Sequence, residues 1–160
     1  MPIPPFVAEL RGLVGGLPLW LPAASAAVVD DRGRLLLGRR ADTGCWALIG
    51  GILDPGEEPA DGVVREVLEE TGVVVEPEAL VAVSVSPMVE YPNGDRAQYL
   101  DLVFRCRAVG GSARPADDEN LAVGWFRPEQ VPALDAYTRH CLELALGPGR
   151  PTVFTGGTRG

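Results

Sequence analysis

The chain has 160 residues, 46% hydrophobic and 22% charged, enough for one domain with a core of its own. A net charge of −8 excludes a broad electrostatic grip on nucleic acid or on an anionic membrane surface. The chain contains no lysine, which excludes a lysine nucleophile and a phosphate-binding P-loop.

Residues 1–5 are proline-rich and expected to be extended. Phe6, Val7, Leu10, Leu13 and Val14 recur at helical spacing and predict an amphipathic helix over 6–14, stopped by Gly15-Gly16. Its expected role is a lid over one sheet edge, or a contact between two copies in a homodimer. Leu17 to Pro22 reads as an apolar connector. Ala23 to Val29 and Leu35 to Gly38 read as strands joined by the turn Asp30-Asp31-Arg32-Gly33. The first is a run of small and branched residues, as expected of a strand covered on both faces. Arg39 and Arg40 follow, then a loop with Cys45, then Trp46 to Ile49 leading into Gly50-Gly51.

Pro59 suits a first helical turn and Gly72 the residue just past a helix end, so a short helix is predicted between them. At 100° per residue, Val64, Val67, Leu68 and Thr71 share one side with Val63 at its edge, and Glu66, Glu69 and Glu70 take the other. Val73–Val75 and Leu80–Val85 read as two strands with Pro77 making the turn between them. Pro87 to Gly94 is a loop. From Gln98 to Val109 the chain alternates, with Leu100, Leu102, Phe104, Cys106 and Ala108 expected to face the core. Gly110 to Asn120 is a polar loop carrying Asp117, Asp118 and Glu119, and Leu121 to Phe126 is the last strand. Pro128 to Val131 is a short turn or helix, Leu134 to Leu146 a helix, and Gly147 to Gly160 a mobile tail. This order predicts an α+β or α/β sandwich in a single domain over 1–147, with a tail over 148–160.

The glutamates of the central helix break local rules. Residues three and four apart are neighbours, so Glu66 faces both Glu69 and Glu70. The last two also sit at the negative end of the helix dipole. Each penalty is only a few tenths of a kcal/mol, but all carry one sign, and such uncompensated conflict marks function. A hard divalent cation, Mg²⁺ or Mn²⁺, would resolve it. The alternative is a solvated acidic face.

The surroundings decide between the two. Gly51, Glu57, Arg65, Glu66, Val67, Glu69, Glu70, Gly72 and Val73 fit the pattern G-x5-E-x7-R-E-U-x-E-E-x-G-U, U being aliphatic. The chain thereby resembles the Nudix (MutT-like) pyrophosphohydrolases, whose box is this pattern. The resemblance implies the Nudix fold, a mixed sheet between helices, and an enzyme that hydrolyses phosphoric anhydride bonds with Mg²⁺ or Mn²⁺. It implies that Glu66, Glu69 and Glu70 bind the metal, joined by the Gly50 carbonyl, and that Glu57 and Arg65 brace them. It also implies that Arg39 or Arg40 faces the phosphates, and that Glu119, on a loop ahead of Trp125, acts as a second metal ligand or general base. Asp118 is the nearest substitute for it. Many relatives carry proline where this chain has Ile49.

The substrate stays open at this point. Pro87 lies near a proline of ADP-ribose hydrolases and Tyr91 near a tyrosine of dinucleoside polyphosphate hydrolases. Trp46, Tyr91, Tyr99 and Phe104 are candidates for stacking on a base. A hydrolase of a nucleoside diphosphate linked to another group comes first. A MutT-type hydrolase of nucleoside triphosphates is the alternative, and a binding module without turnover the third class. Cys45, Cys106 and Cys141 form no C-x-x-C pair, which argues against a zinc site and for reduced thiols. The lone His140 reads as packing or surface. With no membrane-length apolar run and no signal-peptide pattern, a cytoplasmic protein with a small-molecule partner is expected.

Overall fold

The computed structural model describes residues 3–147 and 152–154. In chain order the elements are α1 (Pro5–Val14), β1 (Leu19–Val29), β2 (Leu35–Arg40), β3 (Trp46–Ala47), β4 (Ile49–Ile52), α2 (Pro59–Thr71), β5 (Val73–Val85), β6 (Val89–Glu90), β7 (Arg96–Gly111), β8 (Asn120–Phe126), a 3₁₀ turn at Pro128–Gln130, α3 (Ala136–Leu146) and β9 (Val153–Phe154). The strands form one mixed sheet in the order β3-β2-β1-β7-β5-β9, with β4 on β1, β6 on β7 and β8 on β2. Its spine is β1 and β7, parallel from Leu19 opposite Ala97 to Val29 opposite Arg107.

Alanines in β1 let both faces be covered closely. Ala24, Ala26 and Val28 pack under α2 with Val63 and Val67, while Ala27 joins Leu35 and Leu37 against Leu142 and Ala145 of α3. Burying each such branched side chain contributes about 1.5–3 kcal/mol. The caps are as predicted for α2: Pro59 opens it, and Gly72 closes it at φ 68° with its N–H on the Leu68 carbonyl. Asp135 caps α3 by accepting from the Thr138 amide at 2.8 Å.

Several expectations need correction. Residues from Leu19 to Pro22 are not a connector but the start of β1, because β7 pairs with them throughout. Pro77 makes no turn. β5 runs through it, and the missing N–H is absorbed by a register shift between Pro77 and Ala79. β7 is buried on both faces rather than one. Val103 packs with Cys141 of α3, and Asp101 is 5% exposed, accepting hydrogen bonds from Ser25 and from Tyr137. On α1, Val7 is buried but Leu13 is not. Of the stretch expected to be a tail, residues 152–154 are described: β9 pairs in parallel with β5 and Thr152 donates to the Leu80 carbonyl; residues 148–151 and 155–160 lie outside the described residues.

The largest correction concerns α2. Leu68 is 47% exposed, whereas Glu66 and Glu70 are only 7% and 5% exposed. The helix presents two carboxylates, not Leu68, to the sheet. Glycine makes this geometrically feasible. A Cβ at Gly51 would lie 2.6 Å from the Glu66 carboxyl carbon, so any larger residue there would displace the acid.

Candidate active site

Arg65 organises the box. Its Nε and Nη2 donate to the two oxygens of Glu57 at 2.8 and 2.9 Å, and its Nη1 donates to Glu66 at 2.7 Å and to Glu69 at 3.2 Å. Only a planar guanidinium can hold a carboxylate by two bonds and still reach two more. Glu57 in turn accepts from the Asp54 amide at 3.1 Å, tying the loop to the helix. The Arg65 hydrogen bonds, with its charge, hold Glu57 below the ordinary carboxylate range.

Glu70 is held differently. Its Oε1 accepts from the Gly50 amide at 3.2 Å and its Oε2 from Asn120 Nδ2 at 2.6 Å. Burial nonetheless pushes its pKa up to about 8; the Asn120 hydrogen bond opposes the rise, and the charges of Glu119 and Glu66 add to it. Glu66 is also raised, first by burial, against Arg65, with Glu119 and Glu69 contributing. Glu119 is raised chiefly by its own burial. Its amide is fixed by Asp117 Oδ1 at 2.9 Å, and its carbonyl accepts from the Ala41 amide. Glu119, on the loop before β8, therefore acts electrostatically on Glu66 and Glu70 of α2, although it is remote from both in sequence.

Among the described residues, no three Asp, Glu, His or Cys side chains already converge as a metal cage. The carboxylates of Glu66 and Glu70 instead engage Arg65, Gly50 and Asn120. The donor set still fits a hard divalent cation. It offers oxygen ligands only, Glu66 lies against Gly51 where there is no side chain, and burial and mutual repulsion raise both pKa values, a cost that a bound cation would relieve. Glu69 is the exposed member, with its side chain 57% accessible.

The two arginines that end β2 part company. Arg40 forms a bidentate ion pair with Asp42, at 2.9 and 2.6 Å, and feels the charge of Glu70. Arg39 points elsewhere, donating to the Gly44 carbonyl at 3.0 Å. Arg40 and Glu119 line a cavity of about 490 Å³, with Val7, Arg11, Leu21, Ile52, Asp95 and Ala97 also in its wall. Tyr91 lines the same cavity, its hydroxyl bonded to that of Tyr99 at 2.5 Å. Trp46 lies outside it, packed edge-on against Phe126 at 4.9 Å, and Phe104 lies in the core under α2. Cys45 and His140 are exposed, and neither lines this cavity. No described helix is long and apolar enough to cross a membrane.

Sequence reasoning missed Asn120 and Asp42. Asp42, two residues from Arg40, was findable as a local partner. Asn120 carries no local signal, because its contact with Glu70 spans fifty positions and needs Gly38, where a Cβ would come within 2.8 Å of the Asn120 amide carbon.

The NUDIX domain model matches residues 19–144. A MutT-like protein of Streptomyces ambofaciens is 44% identical over 82% of this chain and 81% of its own. An ADP-ribose pyrophosphatase of Methanocaldococcus jannaschii is 32% identical over 59% of this chain, which spans 56% of that relative. The crystal structure of a MutT NUDIX hydrolase from Burkholderia pseudomallei superposes with a TM-score of 0.65 at 33% identity, over 79% of this chain and 98% of that one.

Proposed function

The chain belongs to the NUDIX family of hydrolases, and on that premise we propose that it cleaves the diphosphate bond of a nucleoside diphosphate linked to another group, of the ADP-ribose or nucleotide-sugar type, using Mg²⁺ or Mn²⁺. The observation that carries this reading is that Glu66 and Glu70, buried on α2, feel the charge of Glu119, which with Arg40 lines a cavity large enough for a nucleoside.

A bound divalent cation would supply charge that offsets the repulsion between diphosphate oxygens and an incoming water. Glu66, Glu69 and Glu70, with the Gly50 carbonyl, are the residues that would hold it. Arg65, locked by Glu57, keeps the Glu66 oxygen aimed and restrains Glu69. Arg40 faces the phosphates once its pair with Asp42 is exchanged for a phosphate oxygen, a substitution that suits a guanidinium fork. Glu119, with a pKa raised by burial, takes the proton of the attacking water.

The relative named as an ADP-ribose pyrophosphatase supports this substrate class. A second reading, hydrolysis of nucleoside triphosphates to the monophosphate and pyrophosphate, is favoured by the 44% identity to a MutT-like protein. Retention of all three box glutamates speaks against a module without turnover. Product analysis over a nucleotide panel, with Mg²⁺ and with Mn²⁺, separates the readings. A mononucleotide plus a phosphorylated partner supports the first, and pyrophosphate the second. No hydrolysis of any member would refute both.

A further inference from the structure

We infer that the surface hollow lined by Arg32, Arg34, Arg127 and Trp125 binds a phosphate-bearing anion, at a site separate from the box carboxylates. The inference does not rest on the proposed reaction.

The chain carries 14 basic against 22 acidic residues, so its arginines should find partners readily. The side chains of Arg32 and Arg127 are exposed and enter no hydrogen bond or ion pair among the described residues. Every other described arginine donates from its side chain to a carboxylate or a backbone carbonyl. Arg32 and Arg127 line the same hollow, of about 540 Å³, together with Arg34. Glu129 is the only acid in its wall among the described residues. Positive charge gathered in this way on an acidic protein favours an anion there.

The fold brings the three together from two turns. Leu35 of β2 pairs with Phe126 of β8, so Arg34 and Arg127 take the next positions along the two strands. Arg32 precedes them in the turn between β1 and β2, and Asp30 fixes that turn. Its Oδ1 accepts from the Arg32 and Arg34 amides at 3.0 and 2.8 Å, and its Oδ2 accepts from Nε and Nη2 of Arg34, both at 2.7 Å. The Arg34 guanidinium also lies 5.6 Å from the centre of the Trp125 ring, and Trp125 packs on the core under α2. One cation is thus held in place while two keep their donors free. A guanidinium fork matches phosphate oxygens, and three of them suit an anion with several oxygens and more than one charge better than a carboxylate. Trp125 is opposite Leu36, whereas Asn120, which holds Glu70, is opposite Arg40. That spacing along β2 is about 13 Å, so one small anion cannot reach both places.

Titration calorimetry on metal-stripped protein, with inorganic pyrophosphate, ADP and succinate as probes, tests the inference. Pyrophosphate should bind saturably, about tenfold or more tighter than succinate. The double variant Arg32→Gln, Arg127→Gln, checked for folding by its melting curve, should weaken that binding by about tenfold or more, and Arg40→Gln should not. ADP binding tighter than pyrophosphate, by an advantage the double variant also removes, assigns a nucleotide as the source of the phosphates. ADP binding no tighter assigns a free phosphate chain. The inference is overturned if pyrophosphate does not bind, if succinate matches it, if the double variant keeps wild-type affinity, or if Arg40→Gln removes the binding.

Discussion

Replacing Glu70 by glutamine should stabilise the metal-free protein, and the gain should depend on pH. Glu70 is 5% exposed, and burial with the charges of Glu119 and Glu66 lifts its pKa from 4.5 to about 8. Between those values the folded chain keeps the proton and the unfolded chain has lost it. Stability therefore falls as pH rises, at about 1.4 kcal/mol per unit, and the full loss is reached above the folded pKa. Across the window this amounts to on the order of 4–5 kcal/mol. Glutamine is neutral throughout and can meet Asn120 as the protonated acid does. In EDTA, urea denaturation should find the two proteins alike near about pH 5 and Glu70→Gln more stable by on the order of 4 kcal/mol near about pH 8.5. The corresponding difference in Tm is roughly 10 °C. Saturating Mg²⁺ should narrow the gap, because it stabilises only a fold that binds it. Parallel pH profiles, or a less stable variant at high pH, would refute the reasoning. Glu70 would then be an ionised group held by Gly50 and Asn120 rather than a source of strain.

Glu119→Gln should lower kcat by about 10²-fold or more with little change in KM, as loss of a general base does. Asp117→Asn, which keeps an acceptor oxygen for the Glu119 amide, should cost much less in the same steady-state assay. Arg65→Lys cannot span Glu57, Glu66 and Glu69 at once, so kcat should drop about 10- to 100-fold, the range typical of lost supporting contacts. An unchanged kcat would remove Arg65 from the positioning role. Gly51→Ala should displace Glu66 and reduce metal affinity in a Mn²⁺ titration, while far-ultraviolet circular dichroism stays that of the wild type. Undiminished affinity would mean that the space at Gly51 is not needed.

The reach of the sequence differs between bounds and faces. Both ends of α2 were legible because Pro59 and Gly72 act locally, through a missing N–H and a left-handed φ. The face it buries was not. Periodicity grouped Leu68 with the valines, since it sees only the helix and not the surface opposite. Gly51 leaves room there for the Glu66 carboxyl, and the Gly50 amide and Asn120 hold that of Glu70. The double burial of β7 escaped for a related reason. Asp101 is a carboxylate whose burial depends on Ser25 and Tyr137 from other elements, which the strand alone does not show. Pro77 was overread as a turn because a bulge can absorb the same missing donor. The motif itself was fully readable, and Arg65 is found bridging Glu57, Glu66 and Glu69. Arg40 could not be told from Arg39 in sequence, because the alternation of β2 sends them in different directions.

We propose that the box carboxylates serve a divalent cation which hydrolysis requires. The most direct test is turnover of the preferred nucleotide by metal-stripped protein, then by the same sample after Mg²⁺ or Mn²⁺ is added back, for wild type and Glu70→Gln. The wild type should be silent in EDTA and recover with either ion, whereas Glu70→Gln should stay lower by about 10²-fold or more at saturating metal. Full wild-type turnover in metal-free buffer, or a Glu70→Gln variant as active as the wild type, would contradict it.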